Sequence, residues 1–214
     1  MNYNESQREA EKLILKIKNH NQNVIAVRAD VSKRSECQFL VDKTIKHFGQ
    51  IDVLVNNAGI AQQKLFTEIS PEDWQRMFAV NVESAFNCTQ FAVNDMLKRH
   101  SGKIINVSSI WGLVGSSCEV HYSASKAALI GFTKALAKEL GPSKITVNCI
   151  APGIINTKMN KSLNEYAIND LISQTPLGRF GTADEIAKTI LFLASESADF
   201  LTGQVISPNG GFVI

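Results

Sequence analysis

IINVSSIWGLVGSSCEVHYSASKAALIGFTKALAKEL, residues 104–140, is the stretch that decides how the chain is read. Lys103 to Val107 is rich in β-branched residues and reads as a strand, and a long helical pattern follows. Ser109 stands at the end of that strand. Tyr122 and Lys126 sit four positions apart, which puts phenol and ammonium on one face of a helix that begins near Tyr122. A phenol ordinarily titrates near about 10, and a neighbouring ammonium favours the phenolate and lowers that value. Tyr122 is therefore the candidate to protonate a carbonyl oxygen, and the Ser109 hydroxyl the candidate to orient it. Taken alone, a Tyr and a Lys at this spacing form an ordinary solvated pair, so the surrounding sequence has to decide.

Strand and helix alternate on both sides of this stretch. Asn4 to Asn19 carries Ala10, Leu13, Ile14 and Ile17 on one helical face, and Val24 to Ala29 is a short β-branched run ending in Asp30-Val31. Ser32 is the expected cap of a helix that Gly49 stops after Phe48. Ile51 to Val55, apolar apart from Asp52, is predicted to be a strand buried on both faces, and it empties into Asn56-Asn57-Ala58-Gly59. Ser70-Pro71-Glu72-Asp73 starts a helix that runs past Asn81 to Arg99. Beyond the central stretch come a strand from Thr146 to Ile150 ending at Ala151-Pro152-Gly153, a helix from Thr182 to Ser195, and a last strand from Gln204 to Ser207. The order predicts an α/β fold, a doubly wound parallel sheet in one domain over residues 1–214, with its binding crevice at the carboxyl ends of the strands. Asp30-Val31, Asn56 to Gly59, Ser109 and Pro152-Gly153 each follow a strand, so four segments are expected to meet along one edge.

A hydrophobic fraction of 44% with 20% charged residues suits a globular core in 214 residues. The 22 basic and 20 acidic side chains leave a net charge of +2 without a dense basic block, which gives no ground for a nucleic-acid or membrane partner. Cys37, Cys88, Cys118 and Cys149 are scattered, with no Cys-x-x-Cys and no His at ligand spacing. They read as reduced packing thiols, and no metal is implied. No apolar run has signal-peptide or membrane-span length, so a cytoplasmic protein is the expectation.

The Ser109, Tyr122 and Lys126 pattern after a strand like IINVS resembles the short-chain dehydrogenase/reductase family, and the likeness covers the whole chain. Asn56-Asn57-Ala58-Gly59 matches the family's Asn-Asn-Ala-Gly, whose backbone lines the nucleotide, so Asn57, Ala58 and Gly59 are implied cofactor contacts. Asp30 and Val31 match the pair that holds the adenine end, and Asn81 the helix asparagine that positions a water for the proton relay behind the lysine. Pro152, Gly153, Ile155 and Thr157 match the Pro-Gly segment on which the nicotinamide end rests. The resemblance implies a Rossmann-type oxidoreductase reducing a ketone with NADP(H). Asn81, Ser109, Tyr122 and Lys126 would be its catalytic set, with Tyr122 and Lys126 also touching the cofactor. The family's usual tetramer forms through the helices at Phe78 to Lys98 and Tyr122 to Leu140 and through the last helix and strand.

Overall likeness is to 3-oxoacyl-[acyl-carrier-protein] reductases, which implies a small or carrier-bound ketone. Ser108 to Gly112 and Ser117 to Val120 resemble instead the reductases of 5-aminopentanonylated elongation factor P, where Glu119 would attract an amine. Residues from Lys158 to Pro176 resemble the variable substrate lid, with Met159, Tyr166 and Leu171 as candidate contacts.

The family opens with a strand and a Gly-x-x-x-Gly-x-Gly turn that takes the pyrophosphate, whereas the first glycine here is Gly49. The expectation is a family domain without its first βαβ unit, missing the first strand, first helix and second strand, and impaired as it stands. Without those two strands the strand at Val24 is expected either to hang loose or to leave a rearranged sheet. A cofactor-less binding or regulatory remnant and an inactive fragment are the alternatives. The DNA upstream of Met1 separates the three. The residues Asn2-Tyr3-Asn4, where the family's second strand would end, carry no acid to repel a 2′-phosphate, which favours NADPH over NADH.

Overall fold

The computed structural model describes residues 1–20, 23–157 and 164–214. Strand and helix alternate as expected. The elements are β1 (Asn2–Tyr3), α1 (Gln7–Lys18), β2 (Val27–Arg28), α2 (Arg34–Phe48) and β3 (Val53–Asn56) in the first part. They continue with α3 (Pro71–Phe78), α4 (Ser84–Arg99), β4 (Gly102–Val107), α5 (Trp111–Val114), α6 (Val120–Leu140), β5 (Ile145–Ile150), α7 (Glu165–Ser173), α8 (Ala183–Ala194) and β6 (Val205–Ile206). Every ladder is parallel, in two sheets ordered β1-β2 and β3-β4-β5-β6. No ladder joins the two sheets among the described residues.

Local chemistry sets the ends of these elements. Gly49 ends α2 at φ 89°, a conformation that costs glycine little. Ser70 and Asp73 form a reciprocal capping box with Pro71 in the first turn of α3, and Thr182 and Glu185 form another at α8. α3 does not run straight into α4. A π-helical turn, Ala79–Glu83, lies between them and contains Asn81.

Side chains alternate across β4, so Ile104 and Ile105 enter different cores. Ile104 packs with Ile145 and Val147 beneath Val41, Ala92, Met96, Ala137 and Leu140 of α2, α4 and α6. Ile105 packs with Ile150 against Leu193 of α8. Helices thus cover both faces of the central strands.

Two expectations are corrected here. β3 is not buried on both faces: Leu54 packs toward α2 and α4, but Val53 and Val55 are 36% and 37% exposed. The second core reaches Ile105 and Ile150 of β4 and β5 and leaves the two valines of β3 outside it. The strand at Val27 neither hangs loose nor pairs in a rearranged way. Asn2–Tyr3 forms a parallel ladder with Val27–Arg28, the pairing that the family resemblance implies for the end of the second strand against the third. The Asn2 amide reinforces it by donating to the Ala29 carbonyl at 2.9 Å. Among the described residues no helix is long and apolar enough to cross a membrane.

Candidate active site

Ser109, Tyr122, Lys126 and Asn81 converge at the carboxyl end of β4. The ladder between β4 and β5 continues past the strands, with Ser108 N donating to Ile150 O at 2.7 Å and Ile110 N to Pro152 O at 3.0 Å. This extension places Ser109 beside the Pro152-Gly153 segment. Ser109 Oγ accepts the Trp111 amide at 3.2 Å and lies near enough to the Tyr122 hydroxyl to favour its ionised form. Both side chains are buried at the edge of the site.

Lys126 is one turn further along α6 and is buried, its Nζ donating to Val107 O at 2.9 Å and lying 5.7 Å from the Tyr122 ring centroid. Burial pulls its ammonium down to about 8, against a smaller opposing effect of the Cys149 thiol. Burial pushes the Tyr122 phenol up, opposed by the Ser109 hydrogen bond and reinforced by the Glu119 carboxylate. This is the reverse of the lowering expected from a neighbouring ammonium. Lys126 is engaged by the Val107 carbonyl, and desolvation dominates the phenol.

Asn81 is fully buried, unlike an ordinary mid-helix asparagine. Its Oδ1 accepts Ile60 N at 2.8 Å, and its Nδ2 donates to Ile60 O and to Ser125 Oγ, each at 3.0 Å. Gly59 sits between this amide and the lysine. A Cβ there would stand 3.2 Å from Lys126 Nζ and 3.3 Å from Asn81 Oδ1, tighter than side-chain contacts normally come. The absence of a side chain lets backbone, lysine and asparagine meet. Beneath them, Asn56 Nδ2 donates to Asn106 Oδ1 at 2.8 Å and Asn106 Nδ2 to Thr133 Oγ1 at 2.9 Å, tying β3 and β4 to α6 through buried polar groups.

The remaining sequence candidates divide. Asn57 and Ala58 are exposed at the end of β3, as a nucleotide-lining turn requires. Gly153 and Ile155 line a cleft of about 200 Å³ with Leu177, Gly181 and Asn209. At Gly153 a Cβ would collide with Asn209 Cα at 2.7 Å. Thr157 is exposed. Asp30 and Val31 follow β2, in the other sheet. The Asp30 carboxylate accepts from Ser32 Oγ at 2.7 Å and Ser32 N at 3.1 Å, the local turn bonds of a capping aspartate, while Val31 packs with Cys37 and Cys88. In the lid segment Tyr166 is 83% exposed and Leu171 half-buried, and Met159 lies outside the described residues. Sequence reasoning passed over Gln62 and His121, whose side chains meet at 2.9 Å beside the site. It also passed over Phe212, whose ring packs edge-on against Trp111 at 5.5 Å.

The lysine carries a testable cost. Its pKa in the fold lies below the unfolded value, so between about pH 8 and 10 the unfolded chain binds more protons and stability rises with pH. At neutral pH the full penalty applies, roughly 3 kcal/mol by the size of the shift. Lys126→Met is expected to raise the melting temperature at pH 7 and to lose the stability gain that the wild type shows between pH 7 and 10. Parallel pH profiles for the two proteins in calorimetry would contradict this.

Fold and site together are those of a dinucleotide-type oxidoreductase of the short-chain class. The family model described as enoyl-(acyl carrier protein) reductase matches residues 1–213, and the chain belongs to the short-chain dehydrogenase/reductase family. It is 46% identical over 185 residues to the 3-oxoacyl-[acyl-carrier-protein] reductase FabG of Thermotoga maritima, covering 86% of this chain and 75% of that protein. The protein of the same name from Staphylococcus aureus is 40% identical over 211 residues, 99% of this chain and 86% of the relative. A mutant short-chain dehydrogenase/reductase from Serratia marcescens superposes with a TM-score of 0.93 at 36% identity, over 99% of this chain and 85% of that one. The chain is an oxidoreductase of the 3-oxoacyl-[acyl-carrier-protein] reductase-like kind.

Proposed function

We propose that the protein reduces the ketone of a 3-oxoacyl group, presented as a carrier thioester, to a secondary alcohol with NADPH. The nearness of the Ser109 and Tyr122 hydroxyls carries this reading, because it brings two hydroxyls to one acceptor position with a buried cation behind them. Ser109 orients the carbonyl and excludes other rotamers of it. Tyr122 gives its proton to the developing alkoxide, and Lys126 with Asn81 holds the polar path behind the phenol. The nicotinamide, when bound, supplies the hydride. Its fit rests on the bare Gly59 between Lys126 and Asn81 and on the close approach of Gly153 to Asn209. Asn57, Ala58, Pro152, Ile155 and Thr157 would line it, and Asp30 and Val31 the adenine. NADPH is preferred because Tyr3 and Asn4, where β1 ends, carry no carboxylate, and Arg28 reaches the Asn4 carbonyl at 3.2 Å. A homotetramer through α4, α6, α8 and β6 belongs to the same reading.

The experiment is an NADPH-oxidation assay with a 3-oxobutanoyl thioester, on residues 1–214 joined behind a relative's leading strand, glycine-rich turn and helix. Turnover of the ketone but not of the matching 2-enoyl thioester, faster with NADPH than NADH, is the expected result. Reduction of the enoyl thioester alone would refute the reading.

One observation favours a second substrate, a ketone that carries an amine. The Glu119 side chain is buried one turn from Tyr122 and has no cationic partner among the described residues. Burial pushes its carboxyl up, against a hydrogen bond from Ser116. A substrate ammonium would restore its ionised form. Glu119→Gln is expected to cut kcat/KM for a 5-amino-2-pentanone-type ketone about tenfold and leave the neutral thioester unchanged. Equal effects on both substrates would remove the carboxylate from substrate selection.

A further inference from the structure

Four side chains beside the site form a hydrogen-bonded chain that the proton transfer does not itself use. Lys64 Nζ donates to Asp73 Oδ2 at 2.6 Å, and Gln62 Nε2 donates to Asp73 Oδ1 at 3.0 Å. Gln62 Oε1 lies 2.9 Å from His121 Nε2. Asp73 is itself fixed by the capping box of α3, where its Oδ2 accepts Ser70 N at 3.1 Å. Lys64 and Gln62 hold its carboxyl well below the usual carboxylate range, so it stays ionised and can only accept. Gln62 must then turn its amide nitrogen to Asp73 and its oxygen to His121. The imidazole is left one choice, a proton on Nε2.

His121 is fully buried in the first turn of α6, immediately before Tyr122. With Nε2 donating, Nδ1 is a bare acceptor. It is the buried side-chain polar atom that finds no partner among the described residues. Burial lowers the imidazole's pKa, with Asp73 opposing and Lys64 reinforcing, which keeps it neutral at physiological pH. The chain also spans the site. Gln62 and Lys64 belong to the loop that leaves Gly59, where Asn81 grips Ile60 by both its amide and its carbonyl. The Lys64 amide in turn donates to Cys118 O at 2.7 Å, next to the start of α6.

We propose that Lys64, Asp73, Gln62 and His121 form a positioning relay. It locks the first turn of α6, and with it the Tyr122 hydroxyl, against the Gly59 and Asn81 side of the site. His121 is thus a positioning residue held in a single tautomer, through Gln62, by the Lys64–Asp73 ion pair. The inference rests on the reading of Tyr122 as proton donor, and it extends that reading to residues outside the reacting group.

Two measurements test it. Nitrogen-15 NMR of the 214-residue protein should show His121 with a bare Nδ1 and a protonated Nε2, and Gln62→Leu should mix the tautomers. A wild-type imidazole protonated on Nδ1 overturns the relay, and this arm needs no loss-of-function variant to fold. In the ketone assay, Gln62→Leu and His121→Leu should each lower kcat about tenfold, with KM and NADPH affinity held within about twofold. The double variant should be no slower than either single one. His121→Gln, which returns an N–H near the Nε2 position, should recover most of the rate. Losses that fall in KM, that add in the double variant, or that His121→Gln does not relieve overturn the positioning role. An active Tyr122→Phe enzyme would instead defeat the proposed chemistry and leave the tautomer result standing, so the two failures are distinguishable.

Discussion

Tyr122→Phe is expected to lower ketone reduction about a thousandfold while NADPH affinity changes by less than about twofold. The substitution removes one oxygen from a buried ring and leaves the volume that packs at the start of α6 in place. Lys126 keeps its bond to Val107 O, and the Asn81 grip on Ile60 does not involve the phenol, so the groups proposed to face the nicotinamide stay where they are. What disappears is the proton that, in the proposed mechanism, Tyr122 gives to the substrate oxygen. Burial keeps the wild-type phenol protonated through neutral pH, since its pKa is pushed up rather than down. The acid is therefore loaded at physiological pH, and catalysis asks it to release the proton only as charge develops on the substrate oxygen. Steady-state reduction of a 3-oxobutanoyl thioester and fluorescence titration with NADPH measure the two quantities side by side. A variant retaining a tenth of the wild-type rate would take Tyr122 out of the role.

The meeting of Ser109, Tyr122, Lys126 and Asn81 was expected from the sequence, through local pattern for the first three and through the family resemblance for Asn81. Ser109 ends a strand and Tyr122 and Lys126 share a helix face, whereas Asn81 lies in a run that reads as one continuous helix, and the π-helical turn around it shows only in the structure. Tertiary environment was not legible. A mostly apolar run such as Ile51 to Val55 reports side-chain type but not which helices lie above it, and Val53 and Val55 find no cover on one face. The sign of the Tyr122 shift depends on how deeply the phenol is buried and where Lys126 spends its hydrogen bond, neither of which spacing encodes. The Asn2–Tyr3 strand escaped notice because two residues carry no periodicity, and only the ladder to Val27–Arg28 reveals it. Gln62 and His121 are far apart in sequence, so their contact has no local signal at all.

A polypeptide limited to residues 1–214 is expected to bind NADPH at least about a hundredfold more weakly than the same residues joined behind a relative's leading strand, glycine-rich turn and helix. The physical ground is the division of the parallel sheet. β1 and β2 form one ladder and β3 to β6 another, with no hydrogen bond of a ladder between them among the described residues. In the strand order that the family resemblance implies, one further strand lies between β1 and β3, and its carboxyl end faces the cofactor's pyrophosphate. That strand would pair the free edge of β3, and the helix after it would cover Val53 and Val55, the exposed valines of that strand. The amides of the turn and the helix N-terminus would add the anion site. On the proposed reading Gly59, Lys126 and Pro152-Gly153 bear on the nicotinamide end, which leaves the pyrophosphate without a helix N-terminus to hold it. Fluorescence titration of both polypeptides with NADPH measures the difference, and hydrogen exchange at Val53 to Asn56 reports whether the edge of β3 becomes paired. Tight binding by the 214-residue polypeptide, with the amides of β3 already protected, would show that the two ladders form a working dinucleotide site without a strand between them.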